Sequence, residues 1–281
     1  MSSFPRFGIG LGFRMVHFET IRQEKPSIDW FELISEHFLL KSKRSQTALD
    51  FLKAHYPLVL HGVSLAIGSS ESLDFEYLKK VKALAREVKA PWVSDHLSWG
   101  RLKKAHFHDL LPLPHTPEVV EFVSERARIV QDFLEVPFAL ENLSSYLPIK
   151  EHQMPEWEFY RQIVEKSGTY MMLDVNNIYV SSKNLGFSAD TYIDSLPLEK
   201  VLQIHLAGYK EMGDFLFDSH DHPVSNPVWE LYRKVWPRTG GASTLLEWDE
   251  HIPPFYELWA EAKKAKHFQE EIFHAPTLVP C

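Results

Sequence analysis

The side chains best suited to chemistry gather after one apolar segment, within residues 201–222 (VLQIHLAGYKEMGDFLFDSHDH). This segment has the character of a β-strand and reaches His205 before a glycine-containing loop begins. The loop carries the metal-capable residues Asp218, His220, Asp221 and His222. Imidazole and carboxylate groups bind divalent metals of borderline hardness, so the stretch predicts half of a metal site. The chain has 15 histidines, however, and a chance cluster of packed or capping histidines is the alternative.

The same arrangement recurs along most of the sequence, where metal-capable residues follow the apolar part of strand-like segments. The eight segments are residues 7–14, 30–35, 57–65, 91–99, 137–144, 169–177, 201–209 and 243–249. The metal-capable residues in them include His61, His96, Glu141, Asp174, His205 and Glu247. Buried carboxylates repel one another unless they are paired or bind metal. If these residues meet in one place, cations are the simplest way to hold them together.

Segments with helical periodicity separate the predicted strands. The clearest are residues 73–89, 117–134 and 155–166. Pro117 and Pro155 suit the first turn of a helix, and Gly168 suits a helix C-cap. Eight alternations of strand and helix in 281 residues predict an α/β fold of the (β/α)8 TIM-barrel type.

A barrel brings the C-terminal ends of all its strands to one mouth, where active sites of this fold lie. The six strand-end residues would then share a cavity with Asp218 and His220. The long loops 100–116 and 210–226 would lie over it. We expect one barrel domain over residues 1–272 and a C-terminal tail over residues 273–281.

Composition excludes several classes of partner. The formal net charge is −8 and no lysine or arginine block is present, which argues against nucleic acid or an anionic membrane surface. No export signal opens the chain, and no apolar run approaches the about 20 residues that span a bilayer. Cys281 is the only cysteine, so disulfides and thiolate metal sites within the chain are excluded and a cytoplasmic location is expected.

The donor types narrow the choice of metal. Four imidazoles and four carboxylates, without a thiolate, suit iron, manganese or zinc. Four negative charges balance two divalent ions. A third ion would need further donors, for which Glu36, Asp95, Asn177 or solvent are candidates.

Eight motifs together carry a resemblance to a known family. They are HGVSLAIGS (61–69), SDHLSW (94–99), DLLPLPHT (109–116), ENLSSY (141–146), LDVNNIYVS (173–181), IHLAGY (204–209), DSHDHPV (218–224) and LLEWD (245–249). Over about residues 7 to 260 the chain resembles the multinuclear non-haem iron-dependent oxidases. The methanobactin-biosynthesis and thiaglutamate-biosynthesis oxidases belong to this family.

The resemblance implies a xylose-isomerase-like barrel that holds two or three iron ions in mixed Fe(II) and Fe(III) states. It implies O2 as cosubstrate, a cysteine-containing precursor peptide as substrate, and a small partner protein that presents the peptide. The implied metal ligands are His61, His96, Glu141, Asp174, His205, Asp218, His220 and Glu247. Asp174, His205 and Asp249 are the implied catalytic residues, and Asn177 and Asp249 are expected to orient ligands by hydrogen bonds.

One position departs from the family pattern. The family generally has Ser-Glu-Asn after the second strand, whereas this chain has His37 after Ser35 and Glu36. His37 is either a further metal donor or a changed substrate contact.

Two other classes of function stay open on the residues alone. The same barrel could be a divalent-metal hydrolase, such as a zinc phosphoesterase, or a manganese sugar isomerase. It could also be a binding or scaffold protein that has kept the site without catalysis. Residues Arg101, Lys103, Lys104, His106 and His108 form a basic stretch that is either solvated or guides an acidic leader peptide.

Overall fold

The computed structural model describes residues 4–102 and 105–274, with the side chains of residues 106, 108 and 272–274 excepted. The described strands are β1 (Ile9–Gly12), β2 (Trp30–Ile34), β3 (Leu58–Gly62), β4 (Val93–His96), β5 (Trp99–Leu102), β6 (Ala105–Leu111), β7 (Phe138–Glu141), β8 (Tyr170–Asp174), β9 (Val201–Leu206), β10 (Lys210–Glu211), β11 (Leu216–Phe217) and β12 (Ser243–Leu246). Eight of them close a parallel barrel in the order β1-β2-β3-β4-β7-β8-β9-β12. The predicted (β/α)8 TIM barrel is confirmed.

Helices cover the outside of the barrel between the strands. They are α1 (Phe18–Glu24), α2 (Glu36–Leu39), α3 (Lys43–His55), α4 (Phe75–Val88), α5 (Pro117–Leu134), α6 (Glu156–Ser167), α7 (Val175–Leu185), α8 (Ala189–Asp194), α9 (Asn226–Val235) and α10 (Phe255–His274), with 3-10 turns at Met15–His17, Leu198–Lys200 and Trp236–Thr239. Helix α5 has the predicted bounds, and Gly168 ends α6 in the left-handed conformation with φ 72°. Pro155 is the N-cap of α6 rather than part of its first turn.

The two long segments over the mouth are partly ordered as hairpins. Residues 100–116 include most of the antiparallel pair β5–β6, and residues 210–226 include the short pair β10–β11. Arg101 does not belong to a solvated basic cluster, because its guanidinium donates to the carbonyl of Ser72 at 3.2 Å and its side chain is 11% exposed. Lys103 and Lys104 lie outside the described residues.

Helix α7 begins earlier than the sequence predicts. Asn176 and Asn177 were expected in the sixth strand, but they lie in the first turn of α7. Asp174 is the last residue of β8 and also the N-cap of α7, and its side chain accepts a hydrogen bond from the N–H of Asn177 at 2.7 Å. Because the Asp174 carboxylate caps α7, the helix begins directly after the last residue of β8.

The inner surface of the barrel changes from apolar to polar along the strands. An apolar layer fills the interior with Trp30, Val59, Trp92, Ala139, Met172, Leu202 and Leu245. Successive residues of a strand face opposite sides, so a residue two positions further along shares the inner face. The residues two positions after five of these are Glu32, His61, Glu141, Asp174 and Glu247. The strand period thus stacks a polar layer directly above an apolar one.

The end of the chain is only partly described. The expected boundary between residues 272 and 273 falls in the last turn of α10, and residues 275–281, with Cys281, lie outside the described residues. None of the described helices combines the length and the apolar composition that crossing a membrane requires.

Candidate metal centre

The eight predicted ligands converge at the mouth of the barrel. A cavity of about 510 Å3 opens there, and its lining includes His61, His96, Glu141, Asp218, His220 and Glu247. Asp174 and His205 lie beneath it and are both 0% exposed. Among the described residues, three groups bring donor atoms within 4.8 Å of one another: His61, His96 and Glu141; Glu141, Asp174, His205 and Glu247; and His220, Glu247 and Asp249. Glu141 and Glu247 each belong to two groups, so the groups form one connected cluster.

The first group presents two imidazoles to one carboxylate. Nε2 of His61 and Nε2 of His96 lie 3.4 Å and 3.0 Å from Oε2 of Glu141. His96 donates its Nδ1 proton to the carbonyl of Gly62 at 3.2 Å. The Ser94 hydroxyl donates to the Leu60 carbonyl, so it accepts from Nδ1 of His61 at 3.0 Å. In the neutral form of each ring, the Nε2 lone pair therefore faces the cavity.

The central group has the most carboxylates. Nδ1 of His205 lies 3.3 Å from Oε1 of Glu141 and 3.0 Å from Oε2 of Glu247. Asn142 fixes the end of β8, because its side-chain oxygen accepts from the Asp174 N–H and its amide donates to the Asp174 carbonyl, each at 3.0 Å. Asp174 is thereby held with one oxygen in the helix cap and the other towards the cavity.

The third group surrounds His220. Its Nε2 lies 2.7 Å from Oδ1 of Asp218, and its Nδ1 lies 3.1 Å from Oδ2 of Asp249 and 3.3 Å from Oε2 of Glu247. Asp218 also accepts a hydrogen bond from the side chain of Asn176 at 2.7 Å. Asp249 was expected to orient ligands, but it lies where it can itself be a ligand. Arg14 is hydrogen bonded to Asp249 on the other side.

A close backbone approach holds His220 in place. His220 has a left-handed φ of 46°, and its N–H donates to the carbonyl of Gly208 at 3.0 Å. A Cβ atom at Gly208 would lie 2.0 Å from the carbonyl oxygen of His222. Glycine at position 208 therefore lets the segment that carries His220 pack against the end of β9.

Burial and neighbouring charges oppose each other in this cluster. Burial would raise the pKa of Glu141, but the imidazoles of His96 and His205 hold it below its usual value. Burial likewise opposes the charge on His96, yet the Glu141 carboxylate raises the pKa of His96 to about 9. Burial raises the pKa of Asp174. Protons therefore neutralise the cluster when no cation does, and metal binding has to release them.

Several buried nitrogen and oxygen atoms of the predicted ligands lack a hydrogen-bond partner, as expected if they bind a metal. Oε2 of Glu141, Oδ2 of Asp174, Nδ1 of His205 and Nε2 of His220 are buried and make no hydrogen bond. Buried polar atoms in folded proteins are normally hydrogen bonded. Each of these atoms belongs to a residue of the central group or of the His220 group, where a bound ion could satisfy it. The nitrogen and oxygen donors suit iron, manganese or zinc.

The other candidates for a third metal have structural partners. Glu36 accepts hydrogen bonds from the Tyr77 hydroxyl at 2.7 Å and the Val63 N–H at 3.0 Å. Asp95 accepts from the N–H groups of His96 and Leu65. Both carboxylates thus hold backbone near the mouth.

His37 lies outside the three groups, whereas Asn177 lies beside them. His37 is exposed on α2. Asn177 lines the cavity, and its amide donates to the carbonyl of Asn142 at 3.0 Å. This bond fits the orienting role expected of Asn177.

The sequence analysis missed Glu32 and Gln203. Oε2 of Glu32 lies 2.5 Å from the side-chain nitrogen of Gln203 and 3.2 Å from Nε2 of His205. Glu32 lies inside the apolar segment WFELIS, where a charged residue is itself a sign of a buried polar partner. That sign was available in the sequence.

Comparison of the sequence with models of known protein families identifies the family to which this chain belongs. The chain matches the family described as RiPP precursor modification enzyme MbnB/TglH/ChrH over residues 8–270. The chain belongs to this family. Relatives of this MbnB/TglH/ChrH member include a UPF0276 protein of Acaryochloris marina, 41% identical over 92% of this chain and 93% of that protein. A UPF0276 protein of Caulobacter vibrioides is 40% identical over 95% of each chain.

Solved structures similar to this MbnB/TglH/ChrH family member share its fold. A D-psicose 3-epimerase from Clostridium cellulolyticum H10 has a TM-score of 0.63 at 14% identity, over 95% of this chain and 99% of that chain. A xylose isomerase-like TIM barrel protein from Mycobacterium smegmatis, in complex with magnesium, has a TM-score of 0.61 at 12% identity, over 97% and 98%. The xylose-isomerase-like barrel is confirmed.

Membership in the MbnB/TglH/ChrH family confirms the resemblance that the motifs carried. The family consists of enzymes that modify RiPP precursors, which are ribosomally made peptides. The ligand and catalytic assignments of individual residues stay predictions.

Proposed function

We propose that this chain is a multinuclear non-haem iron-dependent oxidase that uses O2 to modify cysteine residues of a ribosomally made precursor peptide. The observation that carries the proposal is the pair of shared carboxylates. Glu141 and Glu247 join three groups of nitrogen and oxygen donors into one cluster at the mouth of the barrel. A cluster of this kind suits two or three adjacent metal ions, and its family acts on peptide precursors.

The roles of individual residues follow from their positions. His61, His96 and Glu141 would hold one ion, and Glu141, Asp174, His205 and Glu247 a second. His220 and Asp249 would hold a third ion with Glu247, with Asp218 on the opposite edge of the His220 ring. Iron supplies one-electron redox chemistry with O2 and favours the deprotonated form of a bound thiol. The acceptors behind His61 and His96 fix which ring nitrogen faces the cavity.

Part of the cavity lining is apolar and could bind a peptide side chain. Apolar and aromatic residues, among them Leu110, Leu143, Tyr146 and Phe217, border the ligands on the open side. Such a wall binds a side chain and displaces water from the donors below. A small partner protein that presents the peptide belongs to the same proposal.

Metal analysis combined with an O2 assay tests the proposal. Protein produced anaerobically with supplementary iron should contain about two or more irons per chain, as the donor count indicates. It should consume O2 only when its cysteine-containing precursor peptide is present with the partner protein. The mass of the peptide should change, and a Cys→Ser peptide should stay unmodified.

The same experiment separates the alternatives. Tightly bound zinc with no activation by iron, together with O2-independent cleavage of phosphoesters, would establish a hydrolase. Interconversion of sugars by the manganese form without O2 would establish an isomerase. Either result overturns the oxidase proposal.

A further inference from the structure

Glu32 is a buried carboxylate directly behind the central ligand His205. Its side chain is 2% exposed and lies on the inner face of β2, at the level of the polar layer. Oε2 of Glu32 is 3.2 Å from Nε2 of His205, on the ring edge opposite Nδ1, which faces Glu141 and Glu247. The proposed function assigns Glu32 no role.

Gln203 competes for the same ring nitrogen. Its side-chain nitrogen lies 2.5 Å from Oε2 of Glu32 and 2.7 Å from Nε2 of His205. The amide is locked in this orientation because its oxygen accepts from the indole N–H of Trp92 at 2.9 Å. If Gln203 donated to Nε2, the proton of a neutral ring would sit on Nδ1 and block the cavity side.

The Glu32 carboxylate determines which of the two ring nitrogens of His205 carries the proton. A carboxylate has no proton to donate, so both Nε2–H of His205 and the amide of Gln203 can donate to Glu32. Hydrogen bonds to a charged acceptor are about twice as strong as bonds between neutral groups. In the neutral ring that metal binding requires, the proton of His205 is therefore held on Nε2 and the Nδ1 lone pair is left for the metal.

We propose that Glu32 is a positioning residue for the central metal position: it accepts the Nε2 proton of His205 and leaves Nδ1 free to bind metal. His61 and His96 have neutral acceptors behind them, the Ser94 hydroxyl and the Gly62 carbonyl. Of these three histidines, only His205 has a carboxylate within hydrogen-bond distance of the ring edge that faces away from the other predicted ligands. The metal position at His205 thus depends on a charged hydrogen-bond acceptor, Glu32. The metal position at His61 and His96 has only neutral acceptors of this kind.

The inference rests on the proposed function only in that metal binds at the central position. It does not depend on iron being the metal or on the oxidase reaction. Metal binding is therefore the measured quantity, and a wild-type protein that binds no metal overturns the proposed function itself.

The test compares Glu32→Leu, Glu32→Gln and wild type, with Ser94→Ala as the matched control behind His61. Each protein is reconstituted anaerobically with 57Fe(II), and its affinity is measured by competition with a chelator. Loss of such a support typically weakens metal binding by about 10- to 100-fold. We expect Glu32→Leu to lose iron affinity at the central position and to change the Mössbauer component of the iron bound there. Ser94→Ala should change a different component.

Glu32→Gln keeps the shape and an acceptor oxygen but removes the charge, so it should weaken the central position several-fold. Folding is checked by circular dichroism. A folded Glu32→Leu protein with the affinity and spectrum of wild type overturns the inference. If Glu32→Leu does not fold, wild-type affinity and an unchanged spectrum in Glu32→Gln overturn it instead.

Discussion

The hydroxyl of Tyr146 accepts a hydrogen bond from the backbone N–H of Asp218 at 3.2 Å. The Tyr146 ring also stacks on Phe217, with centroids 5.8 Å apart. The loop after β7 thereby holds the end of the β10–β11 hairpin, from which Asp218 and His220 follow. The position of the third ligand group depends on this contact between two separate parts of the chain.

Tyr146→Phe should weaken metal binding at the His220 position while leaving the fold intact. The variant keeps the aromatic stack but removes the hydrogen bonds to Asp218 and to the Ser144 hydroxyl, each with a net contribution of about 1 kcal/mol. Metal affinity measured by chelator competition should fall several-fold at one position only. Tyr56→Phe is the control, because the Tyr56 hydroxyl donates to the carbonyl of Pro26 near the opposite end of the barrel. Equal affinities in the two variants would contradict the prediction.

Glu247→Gln should weaken two metal positions at once. Glu247 belongs to both the central group and the His220 group, and a neutral amide binds a hard cation less well than a carboxylate. Asp174→Asn is the matched control, because Asp174 belongs to the central group alone and asparagine is also a good N-cap. Metal content per chain should therefore be lower in Glu247→Gln than in Asp174→Asn. Unfolding of Glu247→Gln would instead make Glu247 part of the structural network of the barrel.

His220→Ala should lose at least one metal ion per chain and keep the ion held by His61 and His96. The variant removes a group that lies within 3.3 Å of three carboxylates. His222→Ala is the control, since the half-exposed His222 side chain belongs to none of the three groups. Metal analysis after gel filtration measures the difference. An unchanged metal content in His220→Ala would remove His220 from the ligand set.

Acid should destabilise the protein through His115, which lies away from the metal groups. Burial, followed by the neighbouring His152, lowers the pKa of His115 to about 3, against about 6.5 in an unfolded chain. Between these values the unfolded state binds a proton that the folded state does not. The stability of the protein should therefore be complete above pH 6.5 and fall as the pH drops towards 3.

His115→Phe isolates this effect, because phenylalanine keeps the stack on His152 and Phe159 but cannot be protonated. Urea denaturation midpoints measured between pH 7.5 and pH 5 should fall less in the variant than in wild type. His267→Ala is the control at an exposed histidine. Parallel curves for wild type and His115→Phe would show that His115 does not cause the loss.

The convergence of the predicted ligands was predictable because these residues lie at the ends of apolar strand segments. His61 is the penultimate residue of β3 and Glu141 is the last residue of β7, and the closed barrel brings these strand ends together. Glu32 was missed because it lies within a strand, where only the period of two shows that it faces the interior. The start of α7 was missed because Asp174 has two roles, as the end of a strand and as a helix cap. The hairpins over the mouth depend on pairing between short segments, which a single sequence indicates weakly.

The apolar layer that includes Trp30 and Trp92 lies beneath the predicted ligands and limits how any substrate could reach them. Both indoles are 0% exposed and close the barrel interior below Glu32 and Gln203. The barrel is therefore open at the mouth and closed below it, so a substrate cannot pass through from one end to the other. If the substrate is a precursor peptide, as proposed, it would have to enter and leave by the same opening. The product of that reaction would therefore have to leave the mouth before the next peptide could reach the donor atoms.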